Sequence, residues 1–191
     1  MKDAAIRELE MPSSESGPVD MKAAEDSIRA FLRALRVELP EESWENTPRR
    51  MAKAYAEILR PEPFLSKVFE TAHGFDGLVV VRGIRFASVC EHHLLPFVGI
   101  ANIAYRPNAG VVGLSKLARC VAHAAARPQI QERLTQQILD WLSRTTGSDD
   151  VGVRIEARHS CMSLRGARAA DAEMVTQAFR GSIDPGELRN S

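Results

Sequence analysis

Apolar positions along this chain change their period twice. Behind Asp20, which can cap a first turn, Met21, Ala24, Ile28, Phe31, Leu32 and Leu35 recur at helical spacing until Pro40 closes the segment. A second helix is predicted from Thr47 as N-cap, with Pro48 at its first helical position. Met51, Tyr55, Ile58 and Leu59 form its apolar stripe, and Pro61 and Pro63 end it. The period then shortens. Val79, Val80, Val81, Ile84 and Phe86 read as strand, as does Ile100–Tyr105. The polar stretch Cys90–Pro96 between them reads as a connection, and Pro107–Gly110 as a turn. Helical spacing returns over Ser115–Ala126 and Pro128–Leu142, the latter with Ile130, Leu134, Ile138 and Trp141 inward. From Val151 the residues alternate, with Val153, Ile155 and Ala157 on one face, which predicts a half-buried strand. Continued parity puts His159 and Cys161 on that same face, with Arg165 following.

Beyond residue 170 the pattern is weak and fits a strand or a short helix. Residues 1–19 have too few apolar groups to order themselves and read as a flexible arm. Residues 20–64 are expected to form an N-terminal helical segment and 65–191 the main α+β domain. The order helix, helix, strands, helix, helix, strand predicts an α+β fold: an antiparallel sheet with helices packed on one face.

Composition narrows the class. Apolar residues are 45% and charged residues 26% of the 191, enough for a sizeable core. Lys plus Arg and Asp plus Glu are 25 each, and a chain with no net charge lacks the cation surplus a general nucleic-acid binder needs. No apolar run reaches the roughly 18 residues of a membrane span, and the N-terminus lacks a signal-peptide core, so no membrane partner is expected. Three cysteines, Cys90, Cys120 and Cys161, do not make a disulfide framework, and a reducing, cytoplasmic location is expected.

The chemistry concentrates in two places. Cys90-Glu91-His92-His93 sets a thiol and imidazoles where they can reach one metal ion. A regular strand would pair His92 with Cys90 and a turn would favour His93; spacing leaves the choice open. With Cys161 the set is Cys₂His, three protein ligands and an open position, the pattern of a catalytic zinc, which lowers the pKa of a coordinated water. His92 and His159 are then candidates for general acid and base. A separate group suits an anion. Gly113-Leu114-Ser115-Lys116 opens a helix, with Ser115 as expected cap, and Lys116 and Arg119 share a helical face, as do Arg50 and Lys53. Gln131 and Glu132 offer an amide and a carboxylate that can meet the amino and imino edge of guanine. Cys120 and His123 are assigned to structure, and His73 is left unassigned.

Together these stretches resemble the GTP cyclohydrolase I family. The matching segments are Cys90–His93, Gly113–Leu117, Arg127–Thr135, His159–Cys161 with Arg165-Gly166, and Thr47–Ala52, in the family's order over roughly residues 45–168. The resemblance implies zinc held by Cys90, His93 and Cys161. It implies His159 as proton donor and acceptor at the imidazole ring of GTP, and His92 in opening the ribose. Gln131 and Glu132 would hold guanine. Ser115, Lys116, Arg119 and Arg165 would bind the triphosphate, with Arg50 and Lys53 reaching in from a neighbouring subunit. It further implies the tunnelling (T-) fold and a homo-oligomer, a toroidal decamer with sites between subunits. The implied reaction hydrolyses GTP at C8, releases formate and yields 7,8-dihydroneopterin triphosphate. Two other readings use the same residues: a paralogue that stops at the ring-opened formamide or takes another purine nucleotide, and a non-catalytic, zinc-stabilised nucleotide-binding protein. The segment Ala167–Thr176 departs from the family's usual Ser/Thr-rich strand, and Ile100 stands where a lysine is common.

Overall fold

The computed structural model describes residues 8–11, 17–69, 75–108 and 110–189; His73 and most of the expected arm lie outside them. Internal contacts divide the chain into two units, Ser13–Arg60 and the remainder, Met1–Pro12 with Pro61–Ser191. Among the described residues no helix is long and apolar enough to cross a membrane.

The smaller unit is a pair of helices. In α1, Met21–Ala34, the Asp20 carboxylate accepts from Ala23 N at 2.9 Å, the expected cap. α2 runs Glu41–Ile58, so Thr47 and Pro48 lie inside a helix rather than at its start. A mid-helix proline lacks the N–H that would bond the carbonyl four residues back. Here that carbonyl, of Trp44, accepts instead from Arg29 Nη1 of α1 at 2.6 Å, which makes the interior proline tolerable. The buried line of α2 is Pro48 and Ala52, with Met51, Tyr55 and Leu59 half-buried; Ile58, expected in the stripe, is 39% exposed.

The larger unit holds two sheets. β1, Glu8–Met11, pairs antiparallel with β2, Phe64–Phe69, so part of the expected arm is strand; its alternation spans only four residues, too short to read in sequence. The main sheet contains β3, Val79–Cys90, and β4, Pro96–Tyr105. β5, Val111–Val112, joins β2 in the small sheet. After α3, Leu114–Ala125, the main sheet gains β6, Pro128–Gln129. Then come α4, Gln131–Thr146, and β7, Val151–His159. A single helical turn, α5, Ser160–Ser163, leads to β8, Met174–Arg180, and a 3₁₀ turn, Pro185–Leu188. The strand order is β6-β3-β4-β7-β8, antiparallel except for β6 on β3. Leu117 and Val121 of α3 and Leu134, Ile138 and Leu142 of α4 close the core over Ile103, Val153 and Ile155, all buried, as the expected α+β layering requires. The opposite face of β4 is covered at Ala104 by Ile183 and Leu188.

Four local expectations change. Gly113, not Ser115, sits at the N-cap of α3, and no side chain caps it. α4 starts at Gln131 rather than Pro128 because Pro128 and Gln129 are taken up by the sheet, Glu91 N donating to Gln129 O at 3.0 Å, and it continues past Leu142 to Thr146. β7 stops at His159, opposite Phe97, because β4 begins at Pro96, which has no N–H to extend the ladder. Cys161 therefore leaves strand parity for α5, and Arg165 follows a helical turn instead of a strand. Beyond residue 170 the weak pattern resolves as expected into a strand, β8, at the edge of the main sheet.

Candidate metal centre and active site

β3 ends at Cys90, and the chain reverses tightly. Cys90 N donates to Leu95 O at 2.9 Å, while Leu94 N and His93 N both donate to Cys90 O, at 2.7 and 3.3 Å. Leu94 takes a left-handed φ of 51° to complete the reversal. The turn sends His92 and His93 in different directions, their rings 6.3 Å apart and inclined by 73°. Both Nδ1 atoms stay near the Cys90 sulfur, at 3.8 Å for His92 and 3.9 Å for His93.

α5 then brings Cys161 in from the end of β7. One ligand atom from each of Cys90, His93 and Cys161 lies within 4.8 Å of the other two. A tetrahedral zinc, with bonds of about 2.3 Å to sulfur and about 2.0 Å to nitrogen, spaces its donors roughly 3.5–3.8 Å apart, so the set fits with small adjustment. Burial and the adjacent Cys90 thiol push the Cys161 thiol above its ordinary pKa, against a smaller pull from Arg165. Two thiols side by side resist ionising together unless a cation joins them, so the donor chemistry also fits a divalent metal. Arg165 lies over the group, with Nη1 3.1 Å from His93 Nε2 and 3.4 Å from Cys161 O.

His159 closes the other side. Its ring stacks on Phe97, its cross-strand partner, at 4.4 Å and 8°, and its Nε2 lies 2.8 Å from Gln131 Oε1. Burial lowers its pKa below the ordinary 6.5, opposed by the nearby Glu132 carboxylate. Glu132 is exposed in the first turn of α4, where the helix dipole favours an anion.

A second layer holds the turn. Arg133 of α4 pairs with Glu91, between Cys90 and His92, and also donates to Pro128 O at 2.9 Å and to Gln129 Oε1 at 3.0 Å. Gln129, wholly buried, donates in turn to Ala124 O at 2.7 Å and Gln137 Oε1 at 2.8 Å.

The structure thus brings together Cys90, His93, Cys161 and Arg165, with His92 alongside, and joins His159 to Gln131. Ser115, Lys116 and Arg119 open α3; among the described residues no hydrogen bond or ion pair ties them to the centre. Arg50 and Lys53 are exposed on α2 in the smaller unit. Cys120 and His123 are buried structural groups, the latter with Nδ1 2.9 Å from Glu62 O. Sequence reasoning missed Phe97, Arg133 and Gln129. Only the acidic residue inside the Cys90–His93 motif hinted that a cation would be needed nearby.

Relatives point the same way. The sequence model of GTP cyclohydrolase I matches residues 24–190. The chain is 43% identical to the GTP cyclohydrolase 1 of Aquifex aeolicus (strain VF5) over 163 residues, 85% of this chain and 89% of that one. It is 45% identical to that of Hyperthermus butylicus over 87% of this chain and 86% of the relative. For Streptomyces avermitilis the figures are 42% identity, over 91% and 89%. With the family model matched over residues 24–190 and relatives more than 40% identical over most of its length, the chain belongs to the GTP cyclohydrolase I family.

Proposed function

We propose that this protein is a zinc-dependent GTP cyclohydrolase I, which opens GTP at C8 of guanine, releases formate and rearranges the remainder to 7,8-dihydroneopterin triphosphate. The observation that carries the reading is the convergence of Cys90, His93 and Cys161 within 4.8 Å, beside a half-buried His159, in a chain of this family. Zinc held by these three donors would supply a Lewis acid next to the reacting carbon and ease ionisation of water there.

The remaining work falls to side chains. His159, whose pKa burial lowers from the ordinary 6.5, takes and returns a proton at the imidazole ring of the base. His92 shares the turn but lies outside the donor set, which leaves its ring for the ribose as the sugar opens. Glu132, exposed at the start of α4, accepts from the amino and imino edge of guanine. Its neighbour Gln131, assigned by resemblance to the same base, has its amide engaged inside the fold. Arg165 meets the triphosphate at the metal side, and Ser115, Lys116 and Arg119 meet it from α3. Four polyanionic charges need such cations when water is withdrawn. Arg50 and Lys53 add to them from a neighbouring copy in a homo-oligomer, a toroidal decamer with sites between subunits. The three free thiols suit a reducing cytoplasm.

Mass analysis after incubating the metal-loaded protein with GTP tests the reading. Formate plus dihydroneopterin triphosphate is expected; an accumulating product that has gained only water would end the full-reaction proposal. Glu132→Ala is expected to erode discrimination between GTP and ATP while zinc stays bound, and an unchanged preference would remove Glu132 from the base site.

A further inference from the structure

We propose that Gln131 is a positioning residue that fixes which nitrogen of His159 carries the proton, instead of a contact for the base. What His159 does with that proton rests on the cyclohydrolase reading; the placement of the proton follows from hydrogen-bond polarity alone.

Gln131 is 1% exposed, so every polar atom of its amide has to be satisfied inside the protein. Its Nε2 lies 2.9 Å from Met174 O, 3.2 Å from Ile155 O and 3.1 Å from Thr176 Oγ1. Carbonyl oxygens only accept, so the amide edge facing β7 and β8 is the NH₂ and cannot be turned round. The hydroxyls agree. Thr135 Oγ1 donates to Gln131 O at 2.8 Å, which leaves it to accept from Thr176 Oγ1 at 2.7 Å. The Thr176 proton is then committed, and its oxygen accepts from Gln131. The loop of bonds from the Gln131 side chain through two threonines to the Gln131 carbonyl runs in one direction.

The other edge of the amide is therefore Oε1, an acceptor, and it is this atom that stands 2.8 Å from His159 Nε2. Nε2 carries the hydrogen, and in the neutral ring Nδ1 holds the lone pair. Phe97, stacked at 4.4 Å, holds the ring plane while Gln131 sets its rotation. On the cyclohydrolase reading, Nδ1 is therefore the atom that meets the base, and Gln131 keeps its lone pair available there.

The test starts with the metal-loaded parent enzyme, ¹⁵N-labelled at histidine and free of substrate. Two-bond ¹H–¹⁵N correlations are expected to show His159 protonated at Nε2 and bare at Nδ1; the reverse tautomer would overturn the proposal. Gln131→Met removes the acceptor at similar length. It is expected to give a tautomer mixture and a kcat lower by about 10²-fold, with KM for GTP nearly unmoved and metal content equal to the parent. A raised KM with kcat retained is the mark of a contact made equally in ground and transition states, and would return Gln131 to the base. Failure of the parent to turn over GTP would instead sink the cyclohydrolase reading, while the tautomer would still be decided by the spectrum.

Discussion

Replacing Cys161 by alanine separates metal binding from folding. Cys161 is partly buried in a single helical turn at the edge of the core, so loss of its sulfur should cost the metal-free protein no more than about 1 kcal/mol. Its own thiol is held above the ordinary pKa by burial and by Cys90, so removing it also relieves crowding at Cys90. The metal-bound form is different. A four-ligand structural zinc site is worth roughly 10–16 kcal/mol, which is about 3 kcal/mol per donor, or roughly a 10²-fold loss of affinity when one sulfur goes. By linkage that loss removes about 2.7 kcal/mol of metal-dependent stability. In a chain of this size each kcal/mol shifts Tm by about 2–4 °C, so the zinc-induced rise in Tm should shrink by roughly 5–11 °C. The assay is a pair of thermal scans, with and without zinc, plus metal content after dialysis against a chelator. Cys120→Ala is the control. That thiol is wholly buried in α3, so its removal should cost about 1 kcal/mol in both states and leave the zinc-induced rise intact. If Cys161→Ala kept the full zinc-induced rise, or Cys120→Ala lost it, the donor assignment would be wrong.

Two more expectations concern how the site is held. Arg133→Ala frees Glu91 and the turn that presents Cys90 and His93, and should lower zinc affinity about tenfold with about 1–2 kcal/mol of stability; chelator competition that finds unchanged affinity would show the turn needs no such anchor. Gly99→Ala places a Cβ 2.3 Å from Glu156 O and 2.6 Å from the Ala157 Cβ, forcing β4 and β7 apart at a cost of about 1–3 kcal/mol. An unaltered Tm would refute that close approach.

What could be read from sequence depended on how local the cause was. Asp20, the helical spacing behind it and the β-branched run at Val79–Val81 act over a few residues, and each produced the element it predicted. The Cys90–His93 turn was legible for the same reason, though the choice between His92 and His93 needed either the resemblance or coordinates. Thr47-Pro48 misled because Arg29, fifteen residues before Trp44, supplies the bond the proline cannot. Pro128-Gln129 misled because pairing with β3 outweighs helix initiation there. Strand parity carried Cys161 two residues too far, since nothing in its own neighbourhood says that β4 starts with a proline on the far side of the ladder. In sequence Gln131 groups with Glu132 as a partner for guanine, yet helical rotation by one residue buries the first and exposes the second.

Why the site forms where it does follows from strand direction. β3 and β7 flank β4 and both run antiparallel to it, so their C-terminal ends, Cys90 and His159, arrive at the same place, the start of β4 at Pro96-Phe97. The parallel bridge of β6 to β3 delivers the N-terminus of α4, with Gln131, Glu132 and Arg133, to that same end. Donors some seventy residues apart thus meet without a long loop to position them. The arrangement depends on register more than on any single contact. A one-residue slip of β7 against β4 would turn His159 to the opposite face, away from Phe97 and Gln131, even with every site residue still present. The close approach at Gly99, two residues from Phe97, therefore shapes the proposed site as much as the side chains that line it.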